Sequence, residues 1–352
     1  MHPFKPRRVS HIFTEIMIAL SKFPTFRPLR PWWGGDLQTI RNVVMRRRTD
    51  LSPWPGHRLQ VELADGDRLF AMLHEPSVAA KGPTLLLLHG LTGCEDSLYM
   101  RASTAFFLRR GWRVIRLNLR GAGPSAPHCQ GSYHAGRSED LRAFLSWLAR
   151  ENSAATRDGV LLMGFSLGAN LVLKFLAEGD FPLPVPAAVS VSAPIDLQGA
   201  WQTIQRPRNA FYHRYLLSSL HREFRQWPVK LSADLKRKVL EARSIYRFDE
   251  IWTAPRNGFS SADDYYNRCS TAGRLEDIQV PALLIHAMDD PWIPPAPYLA
   301  ARRRLKSPLR ILLPPSGGHV GFHAADDPQP WHDRCAEVFF REVVPVAVSR
   351  DA

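Results

Sequence analysis

Nowhere in this chain does an apolar run reach the ~18–20 residues that a membrane-crossing helix needs. The best candidate, residues 11–23, is short and is interrupted by Glu15. It also lacks a small-residue cleavage site, so no secretory signal is read there. Cysteine is scarce. Cys94, Cys129, Cys269 and Cys335 form no CxxC pair. That excludes a zinc-ribbon or thioredoxin-like site and reads as reduced thiols of a cytoplasmic protein. There is no HExxH metal motif, no internal repeat and no long low-complexity segment. Acidic residues are outnumbered, 33 against 46 basic ones, for a formal charge of +13. The arginines are spread over the whole chain and accompany no nucleic-acid motif, so no nucleic-acid partner is read from them. What is present is a globular composition, 45% hydrophobic over 352 residues. That suits one large domain with room for an insertion.

The first fifty positions hold ten Lys or Arg against three Asp or Glu. Residues 1–56 therefore read as a basic leader, with a short amphipathic helix around 12–20. Residues 59–63 and 68–74 alternate like a hairpin about Ala64-Asp65-Gly66-Asp67. Short buried strands at 84–88, 113–119, 159–163 and 187–191 then alternate with helices at 98–110, 136–150 and 167–178. Such alternation predicts a mostly parallel sheet covered by helices on both faces. The rhythm stops over 196–276, which is rich in Arg, aromatics and helix formers. It resumes with strands at 282–287 and 309–313 and helices at 296–304 and 331–341. The expected organisation is a core in two parts, 57–195 and 277–345, interrupted by a helical cap at 196–276.

The strongest chemical signal is Gly164-Phe165-Ser166-Leu167-Gly168, set between a strand and a helix. A nucleophile elbow, the tight turn of the α/β-hydrolase fold, holds its Ser in a strained conformation between small neighbours. The turn lifts Oγ to a helix N-terminus, where free N–H groups favour developing negative charge. This fold orders its partners Ser, acid, His. Downstream, the strand ending at His286-Ala287 leads into Met288-Asp289-Asp290-Pro291. Both acids are in reach of the role. By analogy with the fold, the spacing from Ala287 to Pro294 favours Asp290 over Asp289. After the last strand comes Ser316-Gly317-Gly318-His319-Val320-Gly321-Phe322, whose glycines let the loop swing an imidazole over the sheet edge. His323 reads as a surface or capping residue.

These residue types suit acyl transfer. A serine hydroxyl is a poor nucleophile at neutral pH. A neutral imidazole can take its proton and return it to the leaving group. A carboxylate fixes the tautomer and stabilises the imidazolium. Ser166, His319 and Asp290 are thus expected as nucleophile, base and orienting acid. The oxyanion donors are expected to be the N–H of Leu167, just past the nucleophile, and the N–H of Leu91 in the loop His89-Gly90-Leu91-Thr92-Gly93. Each such donor is worth ~3–4 kcal/mol. His89 is expected to prop that loop. No metal and no cofactor are expected.

The chain resembles the YheT-like branch of the α/β-hydrolases, which includes animal ABHD-type lipid esterases. The matching segments are Leu37-Gln38-Thr39, residues 89–93, Arg120-Gly121, Tyr133-His134-Ala135-Gly136, residues 164–168, Asp289-Asp290-Pro291 and residues 317–322, in family order. The resemblance spans roughly residues 33–340. It implies the same triad, on Ser166, Asp290 and His319, and an esterase acting on short- to medium-chain or lipid-like esters. Arg120 and His134 match without a role that chemistry alone assigns. A thioesterase or acyltransferase would use the same triad, and a non-catalytic binding protein could keep the fold.

Within the cap, Tyr212, Leu216, Leu220, Phe224 and Trp227 recur at near-helical spacing beside Arg222 and Arg225. Such a helix can lie on an anionic membrane, making the protein peripheral. It can equally turn its stripe onto the hydrolase core, as most amphipathic helices do.

Overall fold

The computed structural model describes residues 22–80, 82–304 and 308–344. The helix expected at 12–20 lies outside the described residues. Among the described residues the first helix is α1 (Gly34–Met45), followed by a hairpin of β1 (Gly56–Glu62) and β2 (Arg68–His74). Next come β3 (Thr84–Leu88), α2 (Leu98–Leu108), β4 (Val114–Leu117), α3 (Ser138–Glu151), β5 (Val160–Phe165), α4 (Leu167–Glu178) and β6 (Ala188–Val191). The stretch to the next strand is helical, with α5 (Leu197–Ile204), α6 (Ala210–Arg225), α7 (Ala233–Leu240) and α8 (Ala262–Cys269). The chain then returns through β7 (Ala282–Ile285), α9 (Ala296–Arg304), β8 (Leu309–Leu312) and α10 (Trp331–Val343).

All strands share one eight-stranded sheet in the order β1-β2-β4-β3-β5-β6-β7-β8. From β4 to β8 every pairing is parallel, and the β1–β2 hairpin adds antiparallel strands at one edge. The fold is that of an α/β-hydrolase. β3 and β5 are buried along their whole length. That is why they read as unbroken apolar runs, whereas edge strand β1 keeps polar residues in solvent. α2, α10 and Phe23 cover one face of the sheet; α3, α4 and α8 cover the other.

The order matters for function. The chain winds outward from β3 to β4, then crosses back to β5 and continues the opposite way to β8. The crevice at this reversal, beyond the C-terminal ends of β3 and β5, is where open parallel sheets bind ligands. Register sharpens the placement. Leu88 pairs with Gly164 and Phe165 with Val191, so the loops after β3, β5 and β6 emerge side by side.

The apolar residues between β6 and β7 divide. Ile204, Tyr212, Leu216, Leu220, Phe224, Phe248 and Trp252 form a cluster of their own. Ala254, Phe259, Tyr265, Tyr266 and Cys269 instead join the main core. The inward stripe of α6, with each large apolar side chain worth ~1.5–3 kcal/mol on burial, fastens the first part over the sheet edge.

Candidate active site

Ser166 sits between β5 and α4 with φ 51° and ψ −120°. A non-glycine residue there costs ~1–3 kcal/mol and persists only when its surroundings hold it. Here the Ser166 N–H donates to the Val191 carbonyl at 2.8 Å, and its own carbonyl accepts from Ala169 and Asn170. The positions two before and two after it must be glycine. A Cβ on Gly164 would overlap the Gly168 carbonyl, and one on Gly168 would overlap the His89 carbonyl. Six described non-glycine residues have positive φ. Thr92, Ser166, Ser192, Val320 and Phe322 gather in the loops at this sheet edge, and only Arg46, at the end of α1, stands apart.

His319 Nε2 lies 2.9 Å from Ser166 Oγ, and its Nδ1 lies 2.8 Å from Asp290 Oδ2. A carboxylate only accepts, so Nδ1 carries the proton and Nε2 is left to accept from the serine hydroxyl. The other oxygen, Asp290 Oδ1, accepts from the N–H groups of Trp292 and Ile293 at 2.8 and 3.1 Å. Burial alone would push this carboxyl up. The imidazole of His319, His286 nearby and the backbone donors outweigh it and hold the carboxyl below its ordinary range. Trp292 stacks on the His319 ring at 4.3 Å. Asp289 turns away and accepts the Gly318 N–H at 2.9 Å, bracing the histidine loop. Asp290, and not its neighbour, thus meets the imidazole.

Leu167 N–H opens α4, and Leu91 N–H lies in the loop after β3. Among the described residues neither has a hydrogen-bond partner. That loop presses on Ser166, since a Cβ on Gly90 would stand 3.0 Å from Ser166 Cβ. His89 is buried beneath it. Its Nδ1 donates to the Gly90 carbonyl at 2.8 Å and its Nε2 accepts the Leu119 N–H at 3.0 Å. Burial pushes its pKa down to about 4, which keeps the ring neutral.

Ser166 and His319 open into a cavity of about 510 Å³. Its walls include Leu197, Trp201, Leu216, Leu220 and Phe224 from the insert and Ile40, Val43 and Val44 from α1. Such an apolar chamber with few convergent polar groups is the usual form of a small-ligand site. The α6 stripe therefore faces inward: Tyr212, Leu216, Leu220 and Phe224 are buried. Other side chains are exposed at the rim, among them Phe211 (72% exposed), Val44 (59%), Val43 and Tyr215.

Sequence reasoning missed how much of the site comes from the segment before β1. Thr39 Oγ1 of α1 accepts the His319 N–H at 2.8 Å and donates to the Gly35 carbonyl. Gln38 holds both the N–H and the carbonyl of His323. His323 is accordingly buried, not on the surface, because α1 covers it. The motif Leu37-Gln38-Thr39 was the visible signal, but nothing in it says which loop it touches. Arg120 binds Asp65, Asp67 and Asp140, tying the β1–β2 turn to α3. His134 is buried against Phe259 and Tyr265. Neither is in the Ser166–His319–Asp290 chain.

Known proteins match this chain in sequence and in fold. A family model for the α/β-hydrolase fold matches residues 83–326. The putative esterase YheT of Escherichia coli is 34% identical over 331 residues, 92% of this chain and 95% of that protein. Phospholipase ABHD3 of Mus musculus is 28% identical over 69% of this chain, which spans only 59% of that longer relative. The monoacylglycerol lipase of Saccharomyces cerevisiae is 28% identical over 76% of this chain and 62% of its own length. Among solved structures, a Pyrococcus furiosus esterase superposes with a TM-score of 0.57 at 17% identity, over 91% of this chain and 99% of that one, a likeness of fold.

Proposed function

Because the chain belongs to the α/β-hydrolase family, in its esterase- and lipase-like YheT branch, we propose that it hydrolyses carboxylic esters of lipid-like alcohols or acids through an acyl-enzyme on Ser166. The observation that carries this reading is the hydrogen-bonded chain Ser166–His319–Asp290 opening into an apolar cavity.

In the proposed reaction Ser166 Oγ attacks the ester carbonyl carbon while its proton passes to His319 Nε2. The tetrahedral oxyanion is met by the free N–H groups of Leu91 and Leu167. Preorganised donors of this kind count for much in a water-poor site. Asp290 stabilises the imidazolium without taking its proton. Collapse breaks the bond to the leaving alkoxide, which takes the proton from Nε2. Water then repeats the sequence on the acyl-enzyme, freeing the acid and regenerating Ser166.

The phospholipase and monoacylglycerol lipase among the relatives favour an amphiphilic substrate. So does the rim. Val43, Val44, Phe211 and Tyr215 are exposed beside Arg46, Arg47, Arg206 and Arg214, which are also exposed. No helix among the described residues is long and apolar enough to cross a membrane. The proposed contact is peripheral, with the rim resting on an anionic surface and delivering ester to the cavity.

The test is a fluorophosphonate probe together with p-nitrophenyl esters and acyl thioesters of graded chain length. Ser166 is expected to take the label, with oxyesters turned over faster than thioesters. Ser166→Ala is expected to lose the label and ~10³-fold or more of kcat, since nucleophile and base act as a unit. Label or turnover surviving in Ser166→Ala would end the assignment.

A further inference from the structure

Two tyrosine hydroxyls pin the loop that carries Leu91. Gly90 N–H donates to Tyr99 Oη at 2.9 Å, and Thr92 N–H donates to Tyr133 Oη at 2.8 Å. Leu91 lies between these anchors with its own N–H free among the described residues. Thr92 has φ 55°, a conformation a β-branched residue adopts only under constraint. Without its anchor, the peptide on either side of Thr92 would relax, and Leu91 would turn with it.

The anchors differ in what stands behind them. Tyr99 belongs to α2, and its ring packs on Phe165 at 4.9 Å, inside the hydrolase body. Tyr133 packs edge-on to His89 and donates its single hydroxyl proton to Glu223 Oε2 of α6 at 2.9 Å. A phenol can do both. It accepts the Thr92 N–H on a lone pair and donates O–H to a carboxylate, and each bond strengthens the other. Glu223 and Asp249 are the carboxylates of the cavity wall. Asp249 is occupied by Thr253 and Tyr266, whereas Glu223 meets Tyr133.

We infer that Glu223 is a positioning residue. Through Tyr133 it holds Thr92 in its constrained conformation, and so keeps the Leu91 N–H aimed at the reacting carbonyl. The helical insert is thereby coupled to the oxyanion loop by one chain of hydrogen bonds. The inference rests on the proposed acyl-transfer chemistry.

The coupling responds to protonation. Burial raises the Glu223 carboxyl to about 7, against the opposing pull of Tyr133, from the loop ahead of α3, and Arg222 of its own helix. Above that value the carboxylate accepts a charge-assisted bond from Tyr133; below it the bond weakens to a neutral one.

The test uses Tyr133→Phe, Glu223→Gln and the double variant of the full chain. It reads kcat and KM on a soluble short-chain ester, the pH profile of kcat, and hydrogen exchange of the Thr92 amide. Tyr133→Phe is expected to lower kcat ~10–30-fold with KM within about twofold, a fraction of the ~10²–10³ that losing a whole oxyanion donor costs. Glu223→Gln is expected to lower kcat about threefold to tenfold and to remove an ionisation near pH 7. The double variant is expected to match Tyr133→Phe, because one residue acts through the other. Thr92 exchange is expected to quicken in all of them. A change in KM alone, multiplying effects, or unaltered Thr92 exchange would overturn the inference. A wild-type protein inert toward every ester, with Thr92 exchange nonetheless quickened, would sink the hydrolase reading and leave the anchoring intact.

Discussion

The floor and the roof of the cavity are built on opposite rules. The floor is the C-terminal edge of the sheet, made of loops after β3, β5, β6, β7 and β8. It holds five of the six described positive-φ non-glycine residues, and nearly every polar contact of the site. The roof, from α5 to Trp252, is mostly helical, lacks positive-φ non-glycine residues and is lined chiefly with aromatic and aliphatic side chains. Strain with satisfied hydrogen bonds gives a floor that works only as a unit. Apolar packing gives a roof that tolerates volume-conserving changes, except at Glu223, the point where it is hydrogen-bonded to the floor through Tyr133. In the proposed reaction the floor supplies the chemistry, while the roof shapes the cavity and reaches the oxyanion loop only through Glu223.

The sharpest way to break this comparison is at the acids. Asp290→Asn is expected to lower kcat on the order of 10⁴-fold, because the amide no longer fixes the imidazole tautomer. Asp289→Asn keeps an acceptor for the Gly318 N–H and is expected to cost less than about tenfold. Equal losses in steady-state kinetics would mean that the floor does not discriminate the two as its geometry implies.

A smaller effect is expected one step further out. Thr39→Val removes the hydroxyl that accepts the His319 N–H while keeping the side-chain volume. A loss of about tenfold in kcat with little change in KM is expected, as for a misplaced catalytic group. A rise in KM with kcat unchanged would assign Thr39 to the substrate wall instead.

The smallest effect on chemistry, nil, is expected at the outer rim. Arg47→Glu with Arg214→Glu reverses two exposed charges beside the exposed apolar side chains. Co-sedimentation with anionic vesicles is expected to fall severalfold and to weaken with salt in the wild type, while turnover of a soluble short-chain ester holds. Equal binding to anionic and zwitterionic vesicles, or binding to neither, would remove the membrane from the account.

The floor was legible in the sequence because its signals are local. Gly164 and Gly168 sit two residues either side of Ser166, and buried strands end where the loops must begin. Ser166, Asp290 and His319 could be named from such spacing, and the structure brings them within hydrogen-bond distance. The rim was not legible. Its apolar side chains come from α1 and α6, more than ~160 residues apart, and no periodicity joins Val44 to Phe211. The regular stripe on α6 was the visible pattern, and it points inward. His323 escaped for the same reason, since the Gln38 that buries it is 285 positions away. Glu223 is the lone acid of α6 among Arg214, Arg222 and Arg225, and only the fold reveals the tyrosine hydroxyl it meets.

The strut from Thr39 to His319 also orders events in time. Its two ends are 280 residues apart. At ribosomal speeds of ~5–20 residues per second, the first end is made roughly 14–56 s before the second. Throughout that interval the nascent chain holds Ser166 but not the proposed base, and Thr39 lacks the amide it accepts. The proposed base is made 280 residues after the threonine that secures it, so a chain that stops short of His319 is a hydrolase without its trigger.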